Sequence, residues 1–136
     1  MKRWGLCLLR VSMGWLMVVW GLDKLVNVEH SMAVADRFYL GIGGQALFLN
    51  IFGVIQVLLG VLVVVGLWRR KTYPVLFVIC LVTGLSVWNS IIDPWGWVIE
   101  GANALFYPSF IIAAAALAMW GLIDDDTMAL DAKKTV

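Results

Sequence analysis

The chain reads as an all-α membrane protein, a bundle of four transmembrane helices with both termini cytoplasmic. Three observations predict this. Residues 46–68, 73–92 and 102–123 are uncharged apolar runs. A bilayer core of ~30 Å takes roughly 20 helical residues at about 1.5 Å each. Residues 4–25 form a further run of that length, carrying Arg10, Asp23 and Lys24. The whole composition agrees: 136 residues, 62% hydrophobic, 14% charged, mean hydropathy +0.92. It predicts one membrane domain, residues 1–136, and no separate soluble domain.

Charge sets the orientation. Lys2, Arg3, Arg69, Arg70, Lys71, Lys133 and Lys134 fall on one side if the runs alternate. The other side has Arg37 in its loops and Lys24 at a helix end. Lys and Arg favour the cytoplasmic side of short loops. Tryptophan prefers the membrane interface, and its distribution agrees. Trp4, Trp68 and Trp120 mark one set of ends, and Trp20, Trp88, Trp95 and Trp97 the other, with Trp15 between. This asymmetry fits a bacterial inner membrane.

The first run begins after Met1-Lys2-Arg3, and Ala33-Val34-Ala35 resembles a leader cleavage site. Arg10 interrupts the apolar region, and four charged or titratable residues separate it from that site, so retention is expected. At 100° per residue, Arg10, Gly14, Met17, Gly21 and Lys24 lie within about 40° of one line, with Asp23 opposite. Two charges therefore share a face with two glycines. Residues 26–45 connect to the second run. Met32, Ala35, Phe38 and Tyr39 recur at helical spacing and predict a short interfacial helix. Gly41, Gly43 and Gly44 follow as a flexible return without phosphate-loop spacing.

On the second run Gly53, Gln56 and Gly60 share a face. Glycine stripes let helix backbones approach closely, so helices one and two are expected to pack through Gly14, Gly21, Gly53 and Gly60. Arg10 and Gln56 would then lie inside the bundle; the alternative is that Arg10 snorkels to the headgroups. No acidic residue in the cytoplasmic half of any run offers Arg10 a partner. The third run places Ser86, Asn89 and Asp93 along one face near its outer end. The fourth starts with Asn103 and Tyr107, and Pro108 is positioned to kink it. With Trp20, Lys24, Trp88 and Glu100 these groups are placed to surround an outer pocket, where Lys24 and Asp93 are close enough in register to pair. Ordinary interhelical hydrogen bonding would use the same residues. Ala114, Ala118 and Gly121 form a small-residue face suited to packing.

Several chemistries lack their residues. Net charge is +1, so there is no nucleic-acid footprint. His30 is the one histidine, which argues against a metal site. Cys7 and Cys80 form no C-x-x-C pair and read as inert buried thiols. Common redox cofactors have no ligands here.

The motifs resemble the DoxX-like family of small four-helix membrane proteins. The resemblance rests on Arg10 followed by Trp20-Gly21-Leu22-Asp23-Lys24, and on Gly53-Val54-Ile55-Gln56 running through Gly60 and Gly66 to Leu67-Trp68-Arg69. The family usually has Glu where this chain has Gln56, so an ionisable partner for Arg10 is missing there. The resemblance implies a compact bundle that works with partners; one branch supplies a subunit of a thiosulfate:quinone oxidoreductase. No universal catalytic set transfers.

Three functions follow. The first is an accessory membrane subunit, not catalytic alone, in contact with the lipid bilayer and with other membrane or peripheral subunits. It would meet quinone or lipid in its interior, and a partner would supply electrons. The second is a small-molecule carrier or channel, and the third a structural assembly factor. Arg10, Lys24 and Gln56 are the leading ligand-binding or buried polar candidates, with Asn89 and Asp93 behind them.

Overall fold

The structure is a computed structural model that describes residues 1–42 and 45–134, the last two by backbone alone. The glycine return is thus described only at Gly41; Gly43 and Gly44 lie outside the described residues, as do the side chains of Lys133 and Lys134. Among the described residues six α-helices carry the fold, in the order α1 (Lys2–Val26), α2 (Val28–Phe38), α3 (Ala46–Val65), α4 (Arg69–Ser86), α5 (Trp88–Ile92) and α6 (Pro108–Gly121). Short 3-10 turns cover Ala104–Phe106, Ile123–Asp125 and Leu130–Lys134. No strand occurs among the described residues. Lys2–Val26, Ala46–Val65 and Ala104–Gly121 are each long and apolar enough to cross a membrane.

Local chemistry sets the helix ends. The second apolar run continues to Trp68, but α3 stops at Val65 because Gly66 turns left-handed at φ 73. The amides of Gly66 and Leu67 then return to Leu62 O at 3.0 and 2.9 Å, closing the helix with a glycine cap. Trp68, also left-handed at φ 54, leads into α4. The third run is broken at Val87, so α4 and α5 are separate helices. Pro108 does not kink a helix interior. It is the first residue of α6, where its missing N–H costs nothing and its φ suits the helix. The connection after α1 does form a helix, α2, which buries Ser31 and Ala35.

The long helices associate as two pairs, α1 with α3 and α4 with α6. In the first pair the glycine stripes meet. A Cβ built on Gly14 would sit 2.7 Å from Gly60 O, and one on Gly60 2.6 Å from Gly14 O. Gly21 and Gly53 face each other in the same way, at 2.7 and 2.9 Å. Backbones this close exclude any side chain and gain dispersion along their full contact, the main attraction available between helices in lipid. In the second pair, Gly84 lies against Ser109 and Ala113, and Phe77 meets Trp120 at 5.9 Å.

The pairs join through one core. Met13, Met17, Leu59 and Val63 from the first pack with Tyr73, Leu76, Cys80, Ala113, Ala116 and Met119 from the second. This core lies towards the end that holds residue 1 and the tail after α6, here termed the base. Towards the opposite end, the loop end, the pairs part.

Candidate functional site

Where the pairs part, a cavity of about 870 Å³ opens, with α2 along one side. Its volume falls within the range of small-molecule sites. Its walls are mostly apolar and aromatic, including Phe48 and Phe52 of α3, Val78 and Val82 of α4, and Phe106 before α6. Trp20, Lys24 and Gln56 also line it.

Gln56 is 1% exposed. Its Nε2 has only the Met17 sulfur at 3.6 Å, a weak acceptor. Its Oε1 has no partner. A buried amide left unsatisfied is costly in an apolar setting. Lys24 is held between backbone and ring: Nζ donates to Trp20 O at 3.2 Å and lies 5.5 Å from the centroid of Phe52. Among the described residues it has no carboxylate partner. Its sequence neighbour Asp23 contacts His30 Nδ1 at 3.0 Å and accepts from Ser31 at 3.5 Å.

Arg10 occupies the other end of the molecule. It is 3% exposed and lies inside the base. It does not reach Gln56. Its Nε lies 2.9 Å from Asp126 Oδ2, and its other nitrogens donate to Val64 O and to Met128 O, the latter at 3.2 Å. The absence of an acidic partner expected from the helices is therefore corrected: the partner comes from the tail beyond α6, which folds back under the bundle. Asp126 is 1% exposed and also accepts from the Tyr73 hydroxyl at 3.0 Å. Arg69 locks the tail from the other side. It donates to Ile123 O at 2.6 Å and Asp126 O at 3.0 Å, and forms an ion pair with Asp131. Asp131 N donates to Gly66 O at 3.1 Å. Three consecutive aspartates, Asp124 to Asp126, directly after an apolar run were the signal for this tail. A buried arginine requires a counter-charge, and the tail was the nearest unassigned source.

The remaining candidates serve local backbone. Asn89 Oδ1 accepts from Ser90 N at 2.9 Å. Asp93 accepts from the amides of Trp97, Val98 and Ile99 at 3.1, 2.7 and 2.9 Å. The Ile99 and Val98 amides, chiefly, hold its carboxyl below the usual carboxylate range. Asp93 is therefore a loop cap, and it does not pair with Lys24. Trp88, Asn89, Asp93, Glu100, Asn103 and Tyr107 do not line the cavity.

A chain that is all-α among its described residues, with three helices there long and apolar enough to span a membrane, is an integral membrane protein. The DoxX family model matches residues 5–89, more than half of the chain, and the chain belongs to the DoxX family. No curated protein and no solved structure matches it. The matched segment contains Arg10, Lys24, Gln56 and all four packing glycines; Asp126 and the tail lie beyond it.

Proposed function

We propose that this chain is an accessory subunit that holds a lipophilic small molecule, a quinone or a lipid, in its loop-end cavity and presents it to a partner, a membrane oxidoreductase. In this reading the chain crosses a bacterial inner membrane four times, through spans 4–25, 46–68, 73–92 and 102–123, with the base and both termini cytoplasmic. The observation that carries it is the cavity: apolar aromatic walls with an unsatisfied amide at Gln56. The residues suit either guest. Gln56 Nε2 can donate to a quinone or ester carbonyl, and Phe48, Phe52 and Phe106 suit a ring or a chain. Any electron would come from the partner. The filled base supports a one-ended binding site over a through-channel, because Arg10, Asp126 and Tyr73 close the opposite end.

The test is mass spectrometry of the protein extracted gently from its native membrane. The expected result is a retained quinone or lipid near one per chain and a co-purifying oxidoreductase subunit. Filling the cavity with Val82→Trp should abolish retention and leave the fold intact. A chain that emerges with neither lipophile nor partner sinks the proposal.

A further inference from the structure

An apolar tail gains little by moving from a bilayer into an apolar cavity, because lipid is as apolar as the wall. Selection of a guest must come from the polar groups. Two of these matter here. Lys24 is a cation with one carbonyl and one aromatic face for company. Gln56 is buried with a free acceptor and a donor spent on a thioether.

Their placement converges. The glycine pairing sets Gly21 against Gly53 and Gly14 against Gly60. In that antiparallel register, Lys24 and Gln56 are about six residues, or roughly 9 Å of rise, apart. Lys24 closes most of that gap, while Gln56 Nε2 is turned to the Met17 sulfur at 3.6 Å. Lys24 Nζ reaches back one turn to Trp20 O. The cavity thus carries an ammonium and an amide on neighbouring stretches of its α1–α3 wall. A cation with no carboxylate in hydrogen-bond reach is costly in an apolar cavity, and an anionic oxygen is its natural complement. The one carboxylate of the lining, Asp23, is engaged by His30 and Ser31, and Arg37 adds a second positive charge there.

We propose that the cavity takes an anionic amphiphile, its carboxylate or phosphate head held between Lys24 Nζ and Gln56 Nε2 and its hydrocarbon tail laid along Phe52, Val78, Val82 and Phe106. This rests on the reading of the cavity as a lipophile site. It adds that charge, at Lys24, selects the guest. Free fatty acids and anionic phospholipids share this chemistry.

Trp20 lines the cavity and reports on it. The full chain is reconstituted in phosphatidylcholine nanodiscs and titrated with dibromostearic acid, its methyl ester, and a brominated phosphatidylglycerol. The readout is the quenching lost in Trp20→Phe. The acid should quench saturably, and the ester should bind at least about tenfold more weakly, the scale of one charge-assisted hydrogen bond. Lys24→Met should weaken the acid about tenfold and leave the ester unchanged, while Lys24→Arg retains the acid. Whichever anionic probe binds identifies the source, a free acid or a lipid phosphate. Equal binding of acid and ester overturns the proposal and leaves the cavity reading standing. No Trp20-dependent quenching by any probe overturns the proposal and, with it, the lipid form of the cavity reading, and leaves the quinone form to the mass spectrometry above. The acid-to-ester comparison needs only the wild-type protein, so a poorly folding Lys24 variant does not obscure the result.

Discussion

The base and the loop end use polar groups in opposite ways. At the base, the partners belong to the chain: Asp126 Oδ2 pairs with Arg10 and accepts from Tyr73, and Arg69 donates to the Asp126 carbonyl, while Asp126 Oδ1 and Arg10 Nε keep no hydrogen bond. At the loop end, Lys24 and Gln56 stand beside a cavity and are served by a carbonyl, a ring and a thioether. The first arrangement suits a fastening and the second a vacancy for a guest. A polar group in an apolar setting is expensive in either place. The difference lies in whether the compensating partner is part of the chain.

Breaking the base should give the largest effect. Asp126→Ala strands the buried Arg10 guanidinium, and loss of one member of a buried pair costs about 3–5 kcal/mol. Thermal unfolding in detergent should show this drop. Arg10→Ala combined with Asp126→Ala should cost less than the two single losses added together, because the pair is removed as a unit. Additive losses would mean that the two residues act independently and that the comparison is wrong.

Next in size is the scaffold that holds the two ends together. Gly60→Leu drives a side chain into the backbone of α1 at Gly14. Overpacking of this kind costs about 1–3 kcal/mol, and it should reduce folded yield. Gly5→Leu, where a Cβ meets nothing within 4 Å, should leave yield unchanged and serves as the control.

The loop end should respond in the opposite sense. Gln56→Leu removes an amide whose Oε1 lacks an internal donor, so stability should stay level or rise by about 1 kcal/mol. Retained lipophile should fall at the same time. A stability loss comparable with that of Asp126→Ala would place Gln56 with the base residues as a structural group.

The smallest effect concerns Asp93, outside both regions. Its carboxyl is held below its ordinary value by the amides of Ile99 and Val98 first. A depressed value in the fold means that the ionised form stabilises the loop above the ordinary carboxylate range. That contribution fades as pH falls through the folded value. Trp95 and Trp97, stacked at 5.1 Å, should therefore change fluorescence with a midpoint below the ordinary Asp value of about 3.9, and Asp93→Asn should remove the transition.

The comparison also separates what sequence reasoning reaches. Arg10 was identifiable as a costly charge on a glycine face, but its partner lies in a short polar tail with no hydropathy signal of its own. Lys24 and Gln56 share a cavity, and each was visible because polar residues stand out within apolar runs. Asn89 and Asp93 stood out for the same reason, yet both satisfy nearby backbone. Periodicity reports which face a residue occupies and says nothing about whether the neighbour on that face is a helix, a loop amide or a space.

The sequence alone determined the all-α class, the apolar helices and the facing glycines, because hydropathy and the 100° period are local properties of the chain. Only the tertiary structure decided that Asp126 reaches Arg10 and that the helix pairs part at one end. Both depend on residues far apart in sequence arriving at one place, and that is set by how the two pairs pack as bodies.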